Sequence, residues 1–69
     1  MKREFVKILR ELYPVGSRVQ LDDMEDIKAP PVGTTGTVRA VDDIGTIHVV
    51  WDTGSTLGVV YGVDACHRI

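Results

Sequence analysis

At Pro14 the hydrophobic period of this chain changes, and that change constrains the fold more than any other feature of the sequence. Before it, within KREFVKILREL at residues 2–12, Phe5, Ile8, Leu9 and Leu12 recur at i, i+3, i+4 and i+7. This spacing predicts an amphipathic helix with one continuous apolar stripe. Val6 lies beside the stripe and widens it. Lys2, Lys7, Arg10 and Glu11 cover much of the remaining surface, with Glu4–Lys7 and Lys7–Glu11 spaced to pair. Pro14 biases Tyr13 out of the α region and ends the helix. Three turns of helix are marginal alone, so the stripe must be covered by the following domain or by a second copy of the chain.

Beyond Pro14 the period is two. Ser17 to Leu21 alternates, with Val19 and Leu21 on one face and Arg18 and Gln20 on the other. Residues 22–34, DDMEDIKAPPVGT, form a long connection. Residues 35–42, TGTVRAVD, read as a second strand, and Asp42-Asp43-Ile44-Gly45 as a turn. Residues 46–51, TIHVVW, form a third strand with Ile47, Val49 and Trp51 on one face and His48 on the polar face. A turn at Asp52-Thr53-Gly54-Ser55 leads to a fourth strand at 56–61, TLGVVY. A single 3₁₀ turn at 62–65 and a short closing strand at 67–69 complete the chain. Gly36 and Gly58 suit bending or close backbone approach. The order predicts a mainly β fold, a small SH3-like five-stranded barrel at 14–69, with an added N-terminal amphipathic helix at 1–13. Closing a barrel removes exposed edges and lets few residues share one core. An OB-fold fits less well, because it needs more residues and a helix between its third and fourth strands.

At 69 residues there is room for one core, and about 60% of the unfolded surface is buried at this size. A hydrophobic fraction of 43% argues against disorder. No apolar run approaches the ~20 residues that span a bilayer. No uninterrupted apolar segment follows Lys2 and Arg3 to make a signal peptide. The single cysteine, Cys66, cannot form an internal disulfide, so the cytoplasm is the expected compartment. Charge is divided: residues 1–18 carry +3 and residues 19–69 carry −5. An acidic body opposes gripping nucleic acid, whose affinity comes from neutralised phosphates. A face bearing Lys2, Lys7 and Arg10 leaves nucleic-acid binding as the alternative.

Asp52-Thr53-Gly54-Ser55 after Val49-Val50-Trp51 is similar to an aspartic-protease signature. That chemistry needs two aspartates sharing a proton, together with a flap and a cleft. Too little chain separates Gly54 from Gly62 to supply them, so Asp52 and Gly54 read as a tight turn with the Asp side chain capping its own backbone. Asp22, Asp23, Glu25 and Asp26 are dense but lack the spacing of a calcium loop. Cys66 and His67 are adjacent, unlike zinc ligands, and neighbouring strand residues face opposite ways. Cys66 with His48 or His67 lacks a third group and an oxyanion site. The glycines are dispersed, with no phosphate-cradling loop. No catalytic residue, metal ligand or cofactor is expected, and the chain reads as a non-enzyme.

Three stretches, YPVGSRVQL at 13–21, PPVGTTGTVRAVDDIGTIHVVWDTGSTLGVV at 30–60 and GVD at 62–64, closely resemble a family of small bacterial and phage domains, the domain of unknown function numbered 4314. The most specific portion joins GTxGTV, VDDIGTIHVxWDxGSxLG and GVD. The family-like positions include Tyr13, Gly36, Asp42, Trp51, Asp52 and Asp64. The resemblance implies an SH3-like barrel from bacteria, phages or mobile elements, with no established activity. Ala65-Cys66-His67 departs from the family pattern, so any role there is particular to this chain.

A binding surface is therefore the functional expectation. The candidates are Tyr13, Asp22, Asp23, Met24, Asp26, Ile27, Pro30, Pro31, Trp51 and Tyr61, on a shallow face between the 22–34 loop and the turns at 42–45 and 52–55. Trp51 shares the face of Ile47 and belongs to the core on that ground; exposed, it would anchor a partner. The acidic loop favours a basic peptide or protein. No membrane is implied, and the molecule is expected as a monomer or as a homodimer through the helix.

Overall fold

The computed structural model describes residues 2–69, so Met1, the first residue of the expected helical segment, lies outside the described residues. The elements are α1 (Arg3–Leu12), β1 (Arg18–Asp23), β2 (Thr35–Val41), β3 (Thr46–Trp51), β4 (Val59–Val60) and β5 (Ala65–Arg68). The α1 helix stops where Pro14 requires: Tyr13 leaves helical geometry while its N–H still donates to the Leu9 carbonyl. No described helix is long and apolar enough to cross a membrane.

The strands form one antiparallel sheet in the order β4-β3-β2-β1-β5. The expected succession of one strand, a long loop and a three-strand meander is present. Closure into an SH3-like barrel is not: β4 and β5 are the two edges of an open sheet. The physical reason lies in residues 55–58. There the Trp51 N–H donates to the Ser55 carbonyl and the Trp51 indole Nε1–H to the Leu57 carbonyl at 2.8 Å. These bonds hold the segment as a loop over the tryptophan, so the fourth strand shrinks from the expected 56–61 to Val59–Val60. Two residues offer too short a ladder for another strand to close upon. The last strand begins at Ala65, earlier than expected, and pairs with β1. The segment before it is a turn in which Val63 and Asp64 N–H groups donate to the Val60 carbonyl, not a 3₁₀ helix.

The core comprises Val6, Leu9, Val19, Leu21, Val38, Val41, Ile47, Val49, Trp51 and Val59, with Phe5, Tyr13, Met24 and Cys66 packed against it. Alternation in β1 and β3 therefore reads correctly through to burial. The helix is rotated from its expected stripe. Val6 and Leu9 are buried, while Ile8 and Leu12 remain about half exposed, at 49% and 53%. Burying Val6 and Leu9 sets this face of α1 against the sheet, and on the same flank the Arg10 Nε–H donates to the Val41 carbonyl while its guanidinium pairs with Asp43 at 2.8 Å.

Candidate functional site

Where the sheet fails to close, a groove of about 290 Å³ opens, and its walls come from both edges and from the chain just past the helix. Ile47 and Val59, paired across β3 and β4, form an apolar floor. Tyr13 stands on one side because Pro14 ends the helix there, and its hydroxyl donates to the Cys66 carbonyl at 3.5 Å. Tyr61, the residue after β4, stands on the other with half its surface exposed. The Tyr61 ring is steadied edge-on by Phe5, with centroids 4.9 Å apart and planes at 63°. Gly62, Asp64, Ala65 and Cys66 complete the lining.

Polar groups fix this shape. Asp64 accepts the Glu25 N–H on Oδ1 and the Val60 N–H on Oδ2, tying the long loop and the β4 edge to the turn before β5. Asp22 accepts from or pairs with His67 Nδ1 at 2.8 Å on the outer face. Burial, and then the charge of Asp22, pushes the Cys66 thiol up to about 11. Burial also raises the Tyr13 phenol, with Cys66 adding to the effect. Both groups are thus neutral near pH 7, and the groove offers apolar and hydrogen-bonding contacts beneath a negative rim.

The expected surface divides. Tyr13 and Tyr61 meet in the groove, with Asp22 close by. Asp23 lies exposed opposite Ala65 in the β1–β5 ladder. Met24 is half-buried against the core, and Pro30 is buried. Asp26, Ile27 and Pro31 sit in the long loop, outside the groove lining. Ile27 is 98% exposed in a turn where Asp26 Oδ1 accepts the Lys28 N–H. Trp51 leaves the candidate set, being 1% exposed with its indole N–H bonded to Leu57. The turn at 42–45 lies at the opposite end of β2 from the 22–34 loop, against α1, so one continuous face across both is excluded.

The Asp-Thr-Gly-Ser run is a turn, but Asp52 does not cap it. Its carboxylate takes the Arg18 guanidinium through two oxygens at 2.9 and 2.6 Å and also accepts the Thr35 hydroxyl. The turn-capping carboxylate is Asp42, whose Oδ1 accepts the Ile44 and Thr46 N–H groups while Oδ2 meets His48 Nε2. Among the described residues no group of three or more His, Cys, Asp or Glu side chains is arranged to hold a metal ion. Phe5, Ile47, Val59 and Asp64 were missed as site residues. Phe5 and Ile47 carried only the signal of an apolar stripe, which does not distinguish a groove wall from a core.

A family model described as a domain of unknown function, DUF4314, matches residues 2–69. No curated protein and no solved structure matches the chain.

Proposed function

We propose that this chain, which belongs to the DUF4314 family, is a non-enzymatic protein-interaction module that takes an apolar side chain of a basic partner between Tyr13 and Tyr61. The observation that carries this reading is the groove itself: two tyrosines over an Ile47–Val59 floor, at the open side of the sheet. Tyrosine offers a large rigid contact area and a polar tip at little entropic cost, which is why it recurs in protein interfaces. Asp22, Asp23 and Asp64 lie around the groove and the adjoining end of β5, and this concentration of carboxylate favours Lys or Arg in the partner. A thiol held near 11 is a poor nucleophile at neutral pH, which supports binding over catalysis at Cys66.

Nucleic-acid binding through the helix has less to rest on. Arg10, one of its three expected contacts, is already paired with Asp43 and the Val41 carbonyl.

Selection from a random seven-residue peptide display library tests the reading. Retained sequences should combine an apolar residue with Lys or Arg, and their capture should fall at least about tenfold for Tyr61→Ala while Lys7→Ala leaves it unchanged. Failure to enrich any sequence, or enrichment indifferent to Tyr61→Ala, would sink the groove reading. Salt-sensitive capture of a random single-stranded oligonucleotide, lost in Lys7→Ala, would instead move the active surface to the helix.

A further inference from the structure

We propose that the partner segment binds as an added, extended strand along the free edge of β5, a mode that rests on the groove reading above and specifies its geometry. A sheet edge presents unpaired N–H and C=O groups that template another strand, and pockets for alternate side chains then give specificity. The register identifies which groups are free. Gln20 is opposite His67, Val19 is opposite Arg68, and the Ile69 N–H donates to the Arg18 carbonyl. In an antiparallel ladder this makes His67 the residue bonded to β1, so the N–H and C=O groups of Cys66 and Arg68 point away from the sheet. The Tyr13 hydroxyl reaching the Cys66 carbonyl from outside gives independent support for that direction.

Only light contacts cover the edge. The Tyr13 bond to Cys66 is 3.5 Å, and the Arg68 guanidinium reaches the Leu12 carbonyl at 3.4 Å, both near the outer limit of a hydrogen bond. An incoming backbone N–H can replace the phenol on the Cys66 carbonyl without breaking the sheet. Side chains on the added strand alternate, so residues on one face point to the groove beside Cys66 and those on the other lie beside the His67–Asp22 pair. The occupant is therefore an extended segment with an apolar residue over the groove. Lys or Arg would flank that residue, towards Asp64 in the groove lining and towards Asp22 beside His67, one strand further in.

The test takes a peptide selected from the seven-residue library and follows ¹⁵N-labelled protein by NMR during titration. Binding should shift the Cys66 and Arg68 amides and slow their hydrogen exchange at least about tenfold. Methylating, one at a time, the peptide's backbone nitrogens should weaken binding at least about tenfold at alternate positions. Arg68→Pro removes an outward N–H while sparing the β1 ladder and should weaken binding to a similar extent; if it unfolds the chain, the methylated peptides decide. If the selected peptide perturbs Tyr13 and Tyr61 but leaves both amides unprotected and tolerates every methylation, strand addition is wrong and the groove reading stands. If the library yields no peptide that depends on Tyr61, both fall together.

Discussion

Arg18 and Asp52 show what single residues contribute. With Thr35 and Thr37 they form a network over the outer face of the sheet, linking the start of β1 to the turn after β3. The Arg18 guanidinium and the Thr35 hydroxyl hold the Asp52 carboxyl well below the usual carboxylate range. The Thr46 N–H, with His48, lowers Asp42. Because both folded values are depressed, the stability these groups contribute is complete above the unfolded carboxylate value, about 3.9, and is lost as pH falls towards the folded values. Urea unfolding from pH 6 down to pH 2 should therefore show a shallower acid loss for Asp52→Asn than for the parent protein. Equal slopes would mean the network contributes nothing. Cys66 makes the opposite kind of prediction. With its thiol raised to about 11 and half-buried, alkylation by iodoacetamide at pH 8 should be many-fold slower in the native protein than in urea, read by mass spectrometry. Comparable rates would show that the thiol is freely accessible.

At the scale of elements, the helix and the β2–β3 pair decide where the core ends. Leu9 is 1% exposed, so Leu9→Ala should cost about 2–5 kcal/mol in chemical unfolding, whereas Ile8→Ala, at a half-exposed position, should cost about 1 kcal/mol or less. Leu9→Asp should unfold the chain. Were it to leave a folded monomer, the helix would be dispensable to the core, contrary to its packing. Between β2 and β3, Gly36 lies opposite Trp51, and a Cβ there would meet the Val49 Cγ1 at 2.6 Å and the Trp51 ring at 2.9 Å. Gly36→Ala should destabilise by about 1–3 kcal/mol through overpacking, with a lower urea midpoint and an unchanged slope. Gly45 serves differently: its φ of 83° closes the β2–β3 turn in a region that side chains disfavour. The sequence separates Gly45, a turn residue, from Gly36, a site of close approach, but does not say what Gly36 approaches, since crowding from Trp51 exists only once the strands are in register.

For the whole molecule, the accessible surface of 4413 Å² is close to the roughly 4,300 Å² expected for a folded chain of this mass. An open sheet thus reaches ordinary compactness with α1 contributing Val6 and Leu9 to its core. Trp51 reports on that arrangement. As the single tryptophan, buried to 1% exposure, it should emit blue-shifted fluorescence resistant to acrylamide, moving red in one transition with the far-UV circular dichroism. A separate, earlier fluorescence transition would show that the 55–58 loop opens independently of the sheet. The local periods by themselves determined the helix, its end at Pro14, the third strand at 46–51 and the inward faces of β1 and β3, because each depends on residues within a few positions of one another. The family-like motif likewise located the residues that make turns and clamps, though not their partners. Whether the sheet closes, which flank of the helix turns inward, and whether Tyr61 lines a groove were decided only by the tertiary structure. Those outcomes depend on competition that periodicity does not rank, whether nearby, as when Leu57 bonds to the Trp51 indole instead of extending β4, or far along the chain, as when Arg10 reaches Val41 and Asp43. Hydrophobic patterning records which side chains avoid water, but not which distant backbone group they will meet.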